Sequence, residues 1–146
     1  MTPQLIPFRA EHMLALANRD TPVREELMLA IKKEREGPAY TAVLGETVIG
    51  CAGVILMWHG MGVVWMTLSE TAALYRIWLT RTARRALADI MRAHGLHRLE
   101  AVVRADNERN SKWIEAMGFK PEGGIAHAYT EDRQDVIRYE LVRSWN

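Results

Sequence analysis

A hydrophobic strand, a long arginine-rich helix and a second strand constrain the fold more than any other feature of the sequence. The stretch VVWMTLS (63–69) is apolar and β-branched, and LHRLEAVVRA (96–105) is also typical of a strand. The helical stretch between them ends at Gly95, a natural C-terminal cap. A helix that links two strands of one sheet makes them parallel. The sequence therefore predicts these two strands as parallel neighbours.

Hairpins and two shorter helices surround this unit. The other predicted strands are LIPFR (5–9), AYTAVLG (39–45), TVIGCAGVILMW (47–58), FKPEGGIAHA (119–128) and VIRYELVR (136–143), with a tight turn at HGMG (59–62). The other predicted helices are EHMLALANRD (11–20), TPVREELMLAIKKEREG (21–37) with Thr21 as N-cap and Pro22 at its first helical position, and a helix capped by Asp106 or Asn107 that runs to Met117 and stops at Gly118. The order β-α-α-β-β-β-α-β-α-β-β predicts an α/β (α+β) fold with a mixed sheet, in one domain spanning residues 1–146.

Composition excludes several classes of function. With 19 Lys and Arg against 18 Asp and Glu, interspersed along the chain, the formal net charge is +1, which argues against a nucleic-acid binder. Cys51 is the only cysteine, and the five histidines lack metal-ligand spacing, so we expect no disulfide and no metal. No apolar run is long enough to span a membrane. A cytoplasmic protein is expected.

The start of the long helix breaks its amphipathic pattern. On a helical wheel the expected core stripe is Leu79, Ala83, Ala86, Leu87, Ile90 and Met91, and the opposite side carries Arg81, Arg84, Arg85 and Arg92. Leu74, Ile77 and Trp78 fall on the arginine side. Either the segment before about Leu79 is a loop or kinked turn, or these groups cover something other than the main sheet.

The junction between strand and helix suits an anion, because backbone N–H groups and the helix dipole point outward there. Arg76 and Arg81 lie close to it in the sequence. An ordinary solvated arginine face is the alternative, since charge stripes usually are that.

The stretch RLEAVVRADNERNSKWIEAMGFKPEGG (98–124) resembles the closing half of the GNAT superfamily of acetyl-CoA-dependent N-acyltransferases, in which a strand is followed by an asparagine, a short helix and a Gly-Phe pair. GETVIGCAGV (45–54) is similar to the family's third-strand pattern, and the element order matches over nearly the whole chain. The resemblance implies a GNAT fold whose central parallel strands splay apart to bind acetyl-CoA.

The resemblance also implies where acetyl-CoA would bind. Pantetheine would lie along Met66, Thr67 and Leu68, and the pyrophosphate near Arg76 to Arg81. The remaining expected contacts are Thr80 in the phosphate loop, Asn107 beside the cofactor arm, and Lys112 at the 3′-phosphate. An N-cap for Asn107 and a solvated surface for Lys112 are the structural alternatives.

Two residues are candidates for proton transfer. Glu70, just after the strand, is best placed to take a proton from an amine, and Ser111 could protonate the departing thiolate. The alternatives are a helix-start carboxylate for Glu70 and an exposed polar residue for Ser111.

Three further residues, His59, His127 and Tyr129, lie in turns near which family members often bind acceptor substrates. The alternative is that they are ordinary surface turn residues. Cys51, mid-strand among apolar neighbours, is expected to be inert core.

The sequence departs from the family at two places. The family's phosphate loop has the pattern Gln/Arg-x-x-Gly-x-Gly/Ala, and its three defined positions are occupied here by Tyr75, Trp78 and Thr80. Because both glycines are missing, the backbone loop that would hold the pyrophosphate should be narrowed or re-routed. Ile114 replaces the tyrosine that many members use as the acid. This degenerate loop bears a faint resemblance to divergent GNAT-like proteins of tailed phages, including virion components.

Three functions are compatible with this resemblance and its two departures. The leading one is an N-acetyltransferase that moves an acetyl group from acetyl-CoA to a primary amine of a small molecule or protein by direct attack. The rival is a catalytically silent GNAT-like domain acting as a protein-binding or assembly module, virion assembly included. A third, weaker reading is a sensor that binds CoA without transfer. A homodimer contact could use Trp58, Trp65 or Trp78.

Overall fold

The computed structural model describes residues 2–16 and 23–143. Its strands are β1 (Gln4–Pro7), β2 (Ala39–Leu44), β3 (Thr47–Trp58), β4 (Met61–Leu68), β5 (Arg98–Arg104), β6 (Lys120–Ala126) and β7 (Val136–Val142). Its α-helices are α1 (Val23–Glu36), α2 (Arg76–His94) and α3 (Glu108–Ala116), and 3₁₀ helices span Ala10–Ala15 and Glu70–Tyr75. The predicted element order is confirmed, with the second 3₁₀ helix added.

The element ends confirm several sequence signals and correct others. Gly95 and Gly118 follow α2 and α3 with positive φ angles of 61° and 98°, as expected of helix C-caps. The turn before β4 is shorter than predicted, because Met61 and Gly62 already belong to the strand. The predicted brief helix is a 3₁₀ helix where it is described. The expected Thr21 cap and Pro22 lie outside the described residues.

The strands are ordered β1-β2-β3-β4-β5-β7-β6 in one mixed sheet. The predicted parallel pair is confirmed, and it is short: β4 pairs with β5 at Met61↔Arg98, Gly62↔Leu99 and Val63↔Glu100. β5 pairs antiparallel with β7 over its whole length.

Two compact units divide the chain, one comprising Met1–Leu56 and Val64–Leu79, the other Met57–Val63 and Thr80–Asn146. The first has an apolar cluster of Phe8, Ala10, Met13, Ala30 and Cys51. In this unit the end of α1 approaches β3 very closely, since a Cβ added to Gly37 would lie 1.8 Å from the Val54 carbonyl oxygen. Glycine at that position is therefore a packing requirement.

The second unit buries one face of β5 and β7 together with parts of α2 and α3. Its fully or nearly fully buried side chains include Leu87, Ile90, Met91, Leu96, Leu99, Ile114, Met117, Val136 and Tyr139. The α2 stripe predicted from the wheel is confirmed, since its four large members are buried, while all four arginines of the opposite side are exposed. On the solvent face of β5, Arg98 binds the carboxylates of Glu100, Glu122 and Glu140 at 3.0, 3.2 and 2.6 Å. No helix among the described residues meets the length and hydropathy of a membrane span.

Candidate active site

The end of β4 carries the predicted pantetheine residues. Met66 and Thr67 are half-buried and Leu68 is 37% exposed. Ser69 anchors this end to β3, because both its backbone N–H and its hydroxyl donate to the Ile49 carbonyl, at 2.9 and 3.0 Å. Beside it, a Cβ on Gly50 would lie 2.6 Å from the Leu68 side chain. The backbone of these residues is thus held in extended conformation up to the point where the strand ends.

A 3₁₀ helix lies between β4 and α2, where the sequence left open either a loop or kinked turn before about Leu79 or apolar groups that cover something other than the main sheet. It begins at Glu70, whose side chain is exposed and has no partner among the described residues. The helix α2 follows directly at Arg76, three residues earlier than the break expected near Leu79. Leu74 and Ile77 are 82% and 72% exposed, so two of the three apolar side chains that disturbed the wheel do not enter the core, while Trp78 is half-buried.

The sequence-predicted phosphate residues lie on this helical segment. Arg76 and Arg81 are both exposed, and Arg81 makes no ion pair within the described parts of the chain. Trp78 and Thr80, which stand where the family has glycines, are inside α2 and half-buried. At the two positions where the family has glycines in a loop, this chain has a continuous helix, α2.

Thr80 has a defined packing role in the second unit. Its hydroxyl oxygen accepts a hydrogen bond of 3.0 Å from the indole Nε1 of Trp113 on α3. This bond ties α2 to α3 and gives a structural reason for Thr80 and Trp113. On the inward face of α3, Ile114 and Met117 are 5% and 6% exposed, and Trp113 is half-buried beside them.

Asn107 is the N-cap of α3, as the sequence indicated. Its Oδ1 accepts a hydrogen bond of 3.0 Å from the Asn110 N–H. This leaves the amide nitrogen of its side chain, a donor, outside the capping bond. The capping alternative is confirmed, and a role beside a ligand stays a prediction.

The Ser111 hydroxyl lies one turn into α3. Its oxygen is buried, yet it has no hydrogen-bond partner in the described structure. A buried hydroxyl without a partner carries an uncompensated desolvation cost, and such groups require an explanation. Ser111 is therefore not the exposed polar residue offered as its alternative, whereas Lys112 beside it is exposed.

A histidine–aspartate pair closes the hairpin between β6 and β7. His127 Nδ1 lies 3.1 Å from Asp135 Oδ2, and Asp135 Oδ1 accepts the Ala128 N–H at 2.9 Å. The Ala128 bond, and then the His127 bond, hold the pKa of Asp135 below its usual range. Sequence reasoning named His127 and missed Asp135, because the eight-residue separation gives no sign that the hairpin brings them together.

Other candidates belong to the core of the first unit. Burial raises the pKa of the Cys51 thiol, which lies 3.5 Å from the Thr41 hydroxyl, as expected of an inert cysteine. Trp65, named as an exposed dimer candidate, instead packs edge-on against Phe8 at 5.2 Å, with the Lys33 ammonium 4.8 Å from its ring. Among the described residues, no group of three or more His, Cys, Asp or Glu side chains could hold a metal ion.

Comparison with known proteins identifies the family. The model of the acetyltransferase (GNAT) family matches residues 8–119, and no curated protein matches the chain significantly in sequence. Similar solved structures include the ribosomal-protein-S18-alanine N-acetyltransferase from Escherichia coli, with 18% identity, coverage of 99% of this chain and 96% of that chain, and a TM-score of 0.74. The ribosomal-protein-S5-alanine acetyltransferase from Vibrio fischeri is 18% identical, with coverage of 96% and 92% and a TM-score of 0.73. A spermidine/spermine N-acetyltransferase from Vibrio cholerae is 16% identical, with coverage of 97% and 95% and a TM-score of 0.70. At these identities the structures show a shared fold, and the match of the family model shows that the chain belongs to the acetyltransferase (GNAT) family.

Proposed function

We propose that this protein is an N-acetyltransferase that moves an acetyl group from acetyl-CoA to a primary amine. Family membership supports acetyl transfer as the reaction class, and neighbours of the same fold are named for acetylating spermidine and the alanine of ribosomal proteins. The acceptor is accordingly a small-molecule or protein amine. The proposal also places the protein in the cytoplasm, since acetyl-CoA is used there.

The observation that carries catalysis is the buried, unpartnered hydroxyl of Ser111. A hydroxyl in that state gains a full hydrogen bond when a polar ligand arrives, with no partner to displace. Ser111 therefore takes the role of proton donor to the CoA thiolate, which the family's tyrosine position cannot fill here because Ile114 occupies it.

The donor substrate has a matching set of residues along the chain. The extended backbone of Met66, Thr67 and Leu68 offers N–H and C=O groups to pantetheine, while Arg81 and Arg76 supply positive charge for the pyrophosphate. Asn107 and Lys112 follow as contacts to the cofactor arm and the 3′-phosphate. Thr80 contributes chiefly by fixing α2 against α3 through Trp113.

Chemically, the neutral amine attacks the thioester carbonyl and sulfur leaves as a thiolate. Glu70, at the start of the 3₁₀ helix, is the candidate proton acceptor that the sequence indicates, directly or through water. Orientation of amine and thioester in one site supplies much of the rate.

The test is release of CoA thiol from acetyl-CoA with three amines: spermidine, an alanine-terminated peptide and a lysine-containing peptide whose N-terminus is blocked. We expect amine-dependent thiol release with at least one of them. No release above the uncatalysed rate with any amine, from folded protein, would contradict the transferase and favour the catalytically silent alternative.

A further inference from the structure

The hairpin loop formed by residues 127–135 is built around the carboxylate of Asp135. One carboxylate oxygen receives the Ala128 N–H and the other receives His127 Nδ1. Ala128 and Arg133 both adopt positive φ, 50° and 60°, a conformation that side-chain-bearing residues rarely take. The rest of the loop is fixed by bonds among Tyr129, Thr130, Arg133 and Gln134.

This geometry fixes the state of the imidazole. An ionised carboxylate only accepts hydrogen bonds, so the Nδ1 of a neutral His127 must carry the proton and donate it to Asp135. The lone pair then lies on Nε2, on a side chain that is 76% exposed. A base oriented by a carboxylate on its far nitrogen is the arrangement used in general base catalysis.

The loop lies at the end of β5 that leads into α3. Val136 pairs with both Arg104 and Ala126, so the loop projects beyond the C-terminal end of β5. The Asp135 carbonyl also accepts the Ala105 N–H at 2.9 Å. Two residues after Ala105, Asn107 begins α3, the helix that carries Ser111.

Within the proposed function, on which this inference rests, we propose that His127, rather than Glu70, is the base that takes the proton of the acceptor amine, and that Asp135 orients it. The ammonium form of the acceptor loses one proton to Nε2. Its nitrogen then forms the C–N bond with the thioester carbon as the C–S bond breaks and sulfur takes the bonding electron pair. The second nitrogen proton reaches the thiolate through the Ser111 hydroxyl, and His127 returns its proton to water.

Several charged groups lie in and below the loop that carries His127. Asp135 contacts it directly, and the Arg104 guanidinium lies 3.7 Å from both Asp132 and Asp106 at the base of the loop. Glu131 and Arg133 are exposed in the same loop. We expect substitution of Asp135 to change the pH dependence of the rate, because it removes the nearest of these charges.

The experiment measures acetyl transfer to the best of the three amines by wild type, His127→Ala, Asp135→Asn and Glu70→Gln. His94→Gln is the matched control, since His94 is another exposed histidine of the same unit, at the end of α2. We expect His127→Ala to lower kcat/KM at least a hundredfold, to lose the ascending limb of the pH–rate profile, and to regain rate when free imidazole is added. His94→Gln should change kcat/KM less than threefold, and His127→Ala should lower it far more than Glu70→Gln does.

Titration of Asp135 by NMR checks the pairing without turnover. In wild type we expect the pKa of Asp135 below its usual range, and in His127→Ala a rise, because one of its two hydrogen bonds is lost. An unchanged Asp135 pKa would overturn the pairing.

The outcomes separate this inference from the proposed function. If wild type turns over and His127→Ala has the same rate, the role of His127 is overturned but the proposed function is not. The same holds if His127→Ala is slow and free imidazole fails to restore its rate. A hundredfold loss in Glu70→Gln with normal His127→Ala returns the base to Glu70. Absence of turnover in wild type overturns the proposed function, and the role of His127 with it.

Discussion

At the scale of single residues, one serine after β4 and another inside α3 show opposite hydrogen-bonding states of the same hydroxyl group. The Ser69 hydroxyl donates to the Ile49 carbonyl at 3.0 Å, whereas the Ser111 hydroxyl is buried without a partner among the described residues. The first contributes to stability, while the second carries a desolvation cost that a hydrogen-bonding ligand would offset. Stability and activity should therefore respond differently to removal of each hydroxyl.

We predict that Ser111→Ala leaves the free energy of unfolding unchanged or raises it by up to about 1 kcal/mol, since it removes an unsatisfied buried group. The same change should lower kcat for acetyl transfer by about a hundredfold, because the proton donor is gone. Denaturant unfolding and the thiol-release assay measure the two quantities.

Ser69→Ala is the control for this prediction. It should cost about 1 kcal/mol of stability through the lost hydrogen bond. Loss of stability in Ser111→Ala, with kcat intact, would show that its hydroxyl is bonded in solution and not a donor to substrate.

At the scale of elements, the glycines that follow α1 and α2 are required for two different reasons. Gly37 follows α1 with no room for a Cβ, because the Val54 carbonyl oxygen would be 1.8 Å away. Gly95 follows α2 with a φ of 61° and no heavy atom within 4 Å of an added Cβ. The first glycine is required by packing and the second by backbone conformation alone.

Gly37→Ala is accordingly expected to cost about 3 kcal/mol or more, because backbone must shift to admit the methyl group. Gly95→Ala should cost about 1 kcal/mol, the price of a left-handed conformation for alanine. Thermal and denaturant unfolding of the two variants compares them directly. Equal losses would contradict the close approach of Gly37 to β3.

At the scale of the whole molecule, the sequence predicted what depends on local period and capping. The order of elements, the parallel pair of β4 and β5, the Asn107 cap and the core stripe of α2 are confirmed. The 3₁₀ helix Glu70–Tyr75 was missed, because a wheel assumes a constant period of 3.6 residues. The His127–Asp135 pair and the Thr80–Trp113 bond join residues distant in sequence, which a single sequence does not relate.

The most direct test of the account is calorimetric titration of the purified protein with acetyl-CoA. Micromolar binding is predicted, weakened about tenfold in Arg81→Ala by loss of a phosphate partner, and unchanged in the control Arg92→Ala, which alters an exposed arginine in the last turn of the same helix. At a hundredfold excess over Kd, bound acetyl-CoA should also raise stability by about 2.7 kcal/mol. No heat and no thermal stabilisation at millimolar acetyl-CoA would contradict the claim that this chain is an acetyl-CoA-dependent transferase.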